Sequence, residues 1–324
     1  MCTAISFSTQ SHYFGRNLDL DCALRGDVVI TPRSFPLSFR CMPALKTHLA
    51  IIGTAMIADG YPLYYDATNE TGLSIAALNF HGNARYLPAV QARDNIAPYE
   101  LMLWLLGQCS CVAQARGMLR RVNLAAIPFS DTLPLSPLHF LISDASESLV
   151  IEPLADGLHM IDNPVGILTN NPPFDYHMNH LSHYMQLTSK EAENHFAPNL
   201  NIRAYSRGMG AIGLPGDFSS ASRFIRAAFL KANSRCADDE AAGITQFFHI
   251  LSSVRHVRGS VLVGDQPEVT LYSSCCNTSR GIYYYTTYEN SRITAVDMRR
   301  EDLSGSQLIA YPMIRTQQIY TQNA

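Results

Sequence analysis

The sequence predicts an α+β fold of antiparallel sheets with helices packed on their outer faces. Short segments rich in β-branched and aromatic residues, bounded by Gly, Pro, Asn or Asp, recur along its 324 residues, as is typical of strands. A few other segments have apolar residues three and four positions apart, the period of amphipathic helices. Strand-like segments cluster, then helical ones, then strand-like ones again. This order favours antiparallel sheets over an alternating parallel fold.

Strands are predicted first, and many of them are close enough in sequence to form hairpins. In chain order they are residues 3–9, 12–16, 27–33, 48–57, 72–79, 138–144, 148–154, 158–162, 269–274, 281–287 and 293–298. Helices are predicted over residues 98–108, 111–121, 219–233 and 238–254. The last two begin with good capping residues, Ser219 and Ser220 in one and Asp238 and Asp239 in the other. Because no linker or repeat separates these elements, we expect a single domain over residues 1–324.

Composition and charge exclude several classes of function. The chain is 47% hydrophobic and 16% charged, with a formal net charge of -3, which is typical of a compact globule without a basic surface. We therefore expect no nucleic-acid partner. No stretch has the continuous apolar length of a transmembrane helix, and the N terminus lacks a signal-peptide pattern. These features predict a cytoplasmic protein with no membrane partner.

Neither the eight cysteines nor the glycine-rich segment predicts a cofactor. CSC at 109–111 and CC at 275–276 lack the spacing with which paired thiolates reach one zinc ion, and no HExxH motif occurs. GMGAIG at 208–213 matches the dinucleotide fingerprint, but no buried strand precedes it and Pro215 follows where a helix should begin. We predict free thiols, no metal and no organic cofactor.

Cys2 is the one cysteine in a special position. Removal of Met1 would leave a residue with an α-amine of pKa about 8 and a thiol of pKa about 8.5. The amine can then take the thiol proton directly or through water, as an N-terminal Thr uses its own amine. Many chains begin Met-Cys by chance, however, so this interpretation needs supporting residues nearby.

The segment FGRNLD supplies such residues. The strand-like HYFGR places Arg16 near the strand that starts at Cys2, with TQSH as the hairpin turn, and Asp19 just past the strand end. A cation near a thiol lowers its pKa, and a carboxylate near the α-amine orients it by hydrogen bonding. The alternative is a salt bridge in a loop, which would contribute little to stability.

Beyond these residues, the chain resembles a known family from residue 2 to about residue 312. The motifs, in order, are MCTAI, FGRN with Asp19, YPLYYDATNETGL, ALNF, LPLSPLH, GILTNNPPFDYH, GMGAIGLPGDFSSASRF, QFFHILSSV and GIYYYTTYEN. The chain is similar to choloylglycine hydrolases, the N-terminal-nucleophile amidases that comprise conjugated bile acid hydrolases and penicillin V acylases. The resemblance implies a four-layer αββα sandwich, with two antiparallel sheets between helical layers.

The resemblance also implies roles for single residues. Cys2 would be the nucleophile that attacks the amide carbonyl. Arg16 and Asp19 would hold and polarise its thiol and α-amine. Arg223, at a helix start, would add positive charge and fix the neighbours of the nucleophile.

Two asparagines would complete the site. Asn170 in LTNNP would offer its side-chain amide to the oxyanion, helped by Asn79 in ALNF through its backbone N–H. Asn170 is preferred to Asn171, because the family pattern tolerates a different residue at the second position. Without the resemblance, NNPP is a plausible turn by itself.

The implied substrate is a glycine- or taurine-conjugated bile acid, hydrolysed through a Cys2 thioester. Asn79 favours this branch, since penicillin V acylases tend to carry Tyr at that place. The apolar cleft that a steroid needs would be lined by Leu18, Ala58, Phe129, Leu133 and Leu138. Penicillin V acylase activity is the alternative, and a catalytically idle steroid-binding protein is a weaker one.

The loop YSRGMGAIGLPGDF, residues 205–218, carries the prediction of an oligomer. In relatives this stretch reaches toward a neighbouring subunit, and its glycines allow close backbone approach. The resemblance therefore implies a homotetramer.

Overall fold

A computed structural model describes residues 1–23 and 26–323 of the chain. Its strands, numbered in chain order, form two large sheets in which neighbouring strands are antiparallel. The six-stranded sheet has the spatial order β12 (Ile167–Leu168), β1 (Cys2–Ser8), β2 (His12–Leu20), β15 (Val269–Asn277), β16 (Ile282–Thr287) and β17 (Thr294–Asp297). The eight-stranded sheet has the order β11 (Gly157–Asp162), β10 (Ser148–Leu154), β9 (Leu138–Ser143), β6 (Ser74–Asn79), β5 (Tyr61–Asn69), β4 (Ile51–Ala58), β3 (Asp27–Thr31) and β18 (Ile309–Tyr311).

Smaller elements connect these sheets. The parallel pair β7 (Asp94–Ile96) and β8 (Val122–Leu124) and the hairpin β13 (Leu262–Val263) and β14 (Gln266–Pro267) lie outside them. The α-helices are α1 (Leu101–Leu106), α2 (Val112–Leu119), α3 (Phe174–His180), α4 (Ser220–Asn233) and α5 (Glu240–Ser252). Short 3-10 helices occupy Leu181–Tyr184, Met209–Ala211 and Met298–Arg300.

The layers follow the order helix, sheet, sheet, helix. Helices α4 and α5 pack on the six-stranded sheet, and α1 packs on the eight-stranded sheet. Strand β3 shows the alternation behind this arrangement, because Val28 and Ile30 face the other sheet and Val29 faces the α1–α2 layer. The predicted αββα sandwich is confirmed.

The predicted helix caps are confirmed, and the glycine-rich segment forms a loop with one short 3-10 helix. The Ser219 hydroxyl accepts a hydrogen bond from the Ser222 N–H at 3.3 Å, and the Asp239 carboxylate accepts one from the Ala242 N–H at 2.9 Å. GMGAIG contains only the short 3-10 helix Met209–Ala211, so it has no helix N-terminus for a dinucleotide.

Several elements differ from the prediction. Strand β2 continues to Leu20, so Asp19 lies inside the strand and not past its end. Strands β5, β7, β8, β12, β13, β14 and β18 and helix α3 are additional. Gly15 is required where β2 meets β15, because a Cβ at this position would lie 2.0 Å from the Ser274 carbonyl oxygen.

Two expected absences can be compared with the described part of the chain. Across residues 1–23 and 26–323, no helix is both long enough and apolar enough to cross a membrane. Within the same ranges all eight cysteines are free, and no group of three or more His, Cys, Asp or Glu side chains has an arrangement that could hold a metal ion.

Candidate active site

The hairpin β1–β2 brings Cys2, Arg16 and Asp19 together at one end of the six-stranded sheet. Cys2 pairs with Leu18, and the pairing of the two strands continues from there to Ser8 and His12 beside the turn. Because side chains alternate along a strand, Cys2, Arg16 and Leu18 point toward the eight-stranded sheet, whereas Asn17 and Asp19 point toward the helices. Hydrogen bonds agree with this, since Arg16 reaches the Tyr65 carbonyl and Asn17 reaches the carbonyl of a residue in α5.

Arg16 is a fully buried cation next to the thiol. Its Nη1 donates to the carbonyl oxygens of Tyr65, at 2.9 Å, and Ala77. Among the described residues, its Nη2 has no hydrogen-bond partner. Burial opposes the charge, but the Cys2 thiol and nearby acidic groups outweigh burial and raise the pKa of the guanidinium. Arg16 therefore keeps its positive charge despite its burial.

Asp66 is a second buried carboxylate in this region, and the sequence analysis did not identify it. Its oxygens accept hydrogen bonds from the hydroxyls of Tyr272 at 2.5 Å, Tyr283 at 2.7 Å and Ser274 at 3.0 Å. The Ser274 hydroxyl oxygen also accepts from the Arg16 backbone N–H at 3.1 Å. Asp66 therefore links the neighbouring strand β15 to the position of Arg16.

Arg223 enters the site from the first turn of α4. Its guanidinium donates to the Cys2 carbonyl at 2.5 Å, to the Thr3 hydroxyl at 2.6 Å and to Asn170 Oδ1 at 2.8 Å. Its Nε donates to the Phe218 carbonyl at 3.0 Å. Burial lowers the pKa of Arg223 despite nearby acidic groups. This single side chain fixes the backbone of the nucleophile relative to Asn170.

Asn170 lies directly beside the nitrogen of Cys2. Its Oδ1 accepts from the Cys2 N–H at 2.7 Å, and its Nδ2 donates to the Asn79 carbonyl at 2.7 Å. With two donors on Oδ1, the amide has only one orientation that satisfies them. The backbone of Asn170 is held by the Ser220 hydroxyl at 2.8 Å and His177 Nε2 at 2.9 Å.

The second asparagine of LTNNP lies outside this cluster. Asn171 is half-buried, and its amide donates to the His81 carbonyl at 2.5 Å. Asn79 meets the site through its backbone, while its side chain is exposed. The structure thus brings five predicted side chains and the backbone of Asn79 into one cluster, and their chemical roles stay predictions.

Asp19 meets the N terminus from the helical side. Its carboxylate accepts from the Thr270 hydroxyl at 2.6 Å, and its backbone N–H donates to the Met1 carbonyl at 2.9 Å. The α-ammonium of Met1 donates to the Asp19 carbonyl at 2.6 Å and to Glu268 Oε2 at 2.7 Å. Glu268 and Thr270 were missed in the sequence, because only the pairing of β2 with β15 brings them here.

The five predicted pocket residues belong to several different elements. Leu18 pairs with Cys2, and Leu138 pairs with Asn79 across β6 and β9. Ala58 and Phe129 meet at one aromatic ring, because Ala58 pairs with Tyr61 and the Phe129 and Tyr61 centroids are 6.1 Å apart. Leu133 lies in a turn of the loop that follows β8, where its N–H donates to the Ser130 carbonyl at 3.2 Å. A common cleft around them stays a prediction.

Comparison with known proteins identifies the family of the chain. Residues 2–311 match the family described as linear amide C–N hydrolases, choloylglycine hydrolase family. The chain is 48% identical to the bile salt hydrolase/transferase of Lactiplantibacillus plantarum over 324 residues, covering 100% of both proteins. It is 37% identical to the bile salt hydrolase/transferase of Clostridium perfringens, covering 98% of both.

Solved structures share the fold. A mutant of the conjugated bile acid hydrolase from Clostridium perfringens superposes with a TM-score of 0.93 at 36% identity and covers 100% of both chains. The penicillin V acylase of Agrobacterium tumefaciens superposes with a TM-score of 0.74 at 17% identity, covering 95% of this chain and 90% of that one. At 17% identity, this similarity shows a shared fold and no more. The chain belongs to the choloylglycine hydrolase family and is a linear amide C–N hydrolase.

Proposed function

We propose that this enzyme hydrolyses the amide bond of glycine- and taurine-conjugated bile acids, releasing the free bile acid and the amino acid. The observation that carries the proposal is the cluster at Cys2, where Asn170 Oδ1 lies 2.7 Å from the Cys2 nitrogen and buried Arg16 shares the face of the thiol. Relatives with 34–48% identity are named bile salt or conjugated bile acid hydrolases, which supports this substrate class.

The first chemical step forms a thioester. After Met1 is removed, the α-amine of Cys2 takes the thiol proton, and the thiolate adds to the amide carbonyl of the substrate. The same amine, now an ammonium, returns the proton to the nitrogen of the leaving glycine or taurine as the C–N bond breaks. Arg16 stabilises the thiolate, and Arg223 fixes the Cys2 backbone.

The oxyanion that forms in this step needs donors. Asn170 Nδ2 uses one N–H for the Asn79 carbonyl, and its second N–H is available for the oxyanion. The Asn79 backbone N–H is the proposed second donor. Such donors act in the transition state, and loss of one typically costs about 10²–10³ in kcat.

Water then clears the thioester. The α-amine of Cys2 takes a proton from the water as its oxygen adds to the thioester carbonyl, and the C–S bond breaks with return of that proton to sulfur. An amine that attacked in place of water would give a new amide by the same steps. The names of the Lactiplantibacillus and Clostridium relatives, hydrolase/transferase, support this acyl transfer as a second activity of the same site.

The mature enzyme must lack Met1, because the α-amine is otherwise on the wrong residue. Intact-mass spectrometry of the purified protein tests this directly. A fully active protein that retains Met1 would overturn the role of the Cys2 amine.

The decisive experiment compares substrates and the Cys2→Ala variant. Glycocholate, taurocholate and penicillin V are incubated with the wild-type protein, and the released amine or side-chain acid is measured. We expect rapid release from the two bile salts, slower release from penicillin V, and a loss of at least about 10⁴-fold in Cys2→Ala. Faster cleavage of penicillin V would favour the acylase alternative. Binding of bile salts without release would leave the idle steroid-binding protein.

We also propose a homotetramer. The segment between α3 and α4 exposes large apolar side chains, with Met185, Phe196, Tyr205 and Ile212 at 83%, 89%, 85% and 62% exposure. Such a set on one segment is typical of an association surface. Light scattering at micromolar concentration is expected to give four times the chain mass of 35.9 kDa, and a monomeric mass would contradict the proposal. The single domain over residues 1–324 and the cytoplasmic location stay predictions.

A further inference from the structure

A cluster of ionisable groups lies behind the N terminus and is not explained by the mechanism above. Glu268 precedes β15, and His256 follows α5. Glu268 Oε2 lies 2.7 Å from the α-ammonium nitrogen of Met1, and Glu268 Oε1 lies 2.9 Å from His256 Nδ1. On the other side of the imidazole, Nε2 lies 3.9 Å from Asp19 Oδ2. A chain of two carboxylates and one imidazole therefore runs from Asp19 to the N terminus.

This cluster is deeply buried and incompletely hydrogen-bonded. His256 and Glu268 are 1% and 5% exposed. Within the described ranges, Asp19 Oδ2, Glu268 Oε1 and both ring nitrogens of His256 lack a hydrogen-bond partner of good geometry. The 2.9 Å approach of His256 to Glu268 is thus close in distance but poorly aligned. Buried polar atoms without partners are costly, so their concentration at the N terminus points to a role there.

The α-amine of Cys2 lies within reach of this cluster. One residue spans at most about 3.6 Å of extended chain, so Glu268 lies within about 6 Å of the Cys2 nitrogen. Opposite charges at this range favour the charged form of a group. Glu268 carries the negative charge that such an interaction requires. Burial disfavours its carboxylate, but the contacts with His256 and the α-ammonium outweigh burial and lower its pKa.

We propose that Glu268, with His256 behind it, forms a binding site for the α-ammonium group at the N terminus. This site binds the α-ammonium of Met1 before processing and orients the amine of Cys2 afterwards. The inference rests on the proposed role of that amine as the base. Glu268 is a positioning residue in this scheme, since it acts through the amine and touches no substrate.

Other ionisable groups lie around this end of the hairpin, and they define what Glu268 adds. They are Arg16 and Asp19 from β2, Arg223 from α4, Arg255 and His256 after α5, and Glu268 before β15, and the three arginines interact electrostatically with Asp19. The arginines disfavour an ammonium, and the carboxylates favour it. Removal of the Glu268 charge therefore makes both the ammonium and the Cys2 thiol lose their protons at lower pH.

The test is the pH dependence of Cys2 alkylation in Glu268→Gln. Protein verified to lack Met1 is treated with iodoacetamide between pH 5 and 10, and modification of the Cys2 peptide is followed by mass spectrometry. We expect the midpoint of the rate profile to fall by about one pH unit. The acid limb of the kcat/KM profile for glycocholate is expected to move the same way. A merely structural role lowers rates without moving either midpoint.

Two further variants make the result unambiguous. Glu268→Asp keeps the charge but places it farther from the amine, because the Asp side chain is shorter. Its midpoint should therefore fall by less than that of Glu268→Gln. This variant also serves as the test if Glu268→Gln does not fold. Glu240→Gln is the control, because Glu240 pairs with Arg280 near the other end of β15, and its midpoint should not change. An unchanged midpoint in folded Glu268→Gln, or in Glu268→Asp where the Gln variant does not fold, overturns the proposal.

Alkylation needs no bile salt, which separates this inference from the proposed function. A shifted alkylation midpoint in an enzyme that cleaves no conjugate would support the ammonium site and refute the hydrolase mechanism. Rapid hydrolysis with an unshifted alkylation midpoint would support the proposed function and refute the ammonium site.

Discussion

The two faces of the eight-stranded sheet are packed in different ways. The outer face meets α1, and the buried polar groups there serve the fold: Asn69 donates to the Leu106 and Cys109 carbonyls at 2.8 and 2.7 Å, and Glu100 accepts from the Ala97 N–H at 3.0 Å. The inner face meets the six-stranded sheet and encloses Arg16 and Asp66, both at most 2% exposed.

The difference shows which face of the sheet tolerates the unfavourable free energy of burying a charge. Burial of a charge is unfavourable by several kcal/mol unless other groups compensate it. On the outer face the layer only has to exclude water, and its buried carboxyl, Glu100, accepts hydrogen bonds from backbone N–H groups and has a pKa that burial raises. On the inner face a buried cation is kept near the thiol, and the backbone carbonyls of Tyr65 and Ala77, from two neighbouring strands, accept hydrogen bonds from its guanidinium. Stability and chemistry are therefore concentrated on opposite faces of one sheet.

Removal of the buried cation tests this comparison most strongly. Arg16→Met removes a buried positive charge that interacts with the carboxyl groups of Asp66 and Asp19, so we expect loss of about 3–5 kcal/mol in the free energy of unfolding and no detectable hydrolysis. Urea unfolding and product release measure the two effects. Arg280→Met is the control, since this exposed arginine pairs with Glu240 and should cost less than about 1 kcal/mol. Equal stability of the two variants would contradict the comparison.

The neighbouring asparagines test the chemistry alone. Asn170→Ala removes the proposed oxyanion donor, and kcat/KM for glycocholate is expected to fall about 10²–10³-fold. Asn171→Ala removes only the contact with the His81 carbonyl and should change kcat/KM less than threefold, or about 0.6 kcal/mol. Steady-state kinetics on the folded fraction measures both. Similar losses of kcat/KM in the two variants would show that catalysis depends on the conformation of the loop and not on the amide of Asn170.

A core residue of the outer face should behave in the opposite way. Leu105→Ala, in α1 and fully buried, is expected to lower the free energy of unfolding by about 2–5 kcal/mol. Its kcat/KM per folded molecule should equal that of the wild type. Leu262→Ala, at an exposed position, is the control for the substitution and should stay within about 0.5 kcal/mol. A large catalytic loss in folded Leu105→Ala would break the separation of the two faces.

A pH-dependent effect is expected at the other end of the hairpin. His12 is buried beside the Ser8 hydroxyl, 2.9 Å from its Nδ1, and burial lowers its pKa from 6.5 to about 4. The unfolded chain therefore binds this proton first as the pH falls. The stabilisation by neutral His12 is complete above about pH 6.5 and is lost as the pH falls toward about 4, a change of about 3 kcal/mol.

His12→Gln should flatten this part of the stability profile without changing hydrolysis at neutral pH. Urea unfolding at a series of pH values between 4 and 7 measures the slope. His177, whose pKa is also lowered to about 4 by burial, remains in both proteins and provides the residual slope. An unchanged slope in His12→Gln would show that His12 does not contribute to acid sensitivity.

Much of the fold was predictable because the strands and helices carry their patterns in the sequence. The elements that were missed carry weaker patterns. Strand β5 contains Pro62 near its start and the buried Asp66, and polar or cyclic residues argue against a strand when only hydrophobicity is read. Helix α3 has seven residues and buries only Phe174 and His177, so it has no clear apolar period.

The site residues were likewise predictable only where they lie close together in the sequence. Cys2, Arg16 and Asp19 lie within twenty residues and could be related through a hairpin, although Asp19 was placed outside β2. Asn170 and Arg223 needed the family resemblance, because their positions depend on the packing of distant segments. Glu268 and His256 gave no signal at all: their proximity to the N terminus exists only after β15 pairs with β2.

The contacts of Met1 also determine how this enzyme can be handled. Its α-ammonium ends against the Glu268 carboxylate and the Asp19 carbonyl, so a peptide joined there would replace a salt bridge with an uncharged amide in a partly buried place. It would also prevent the exposure of the Cys2 amine. Affinity tags, reporters and surface anchors therefore belong at the C-terminal end, where residues such as Ile319 and Tyr320 are exposed and lie far along the chain from the nucleophile.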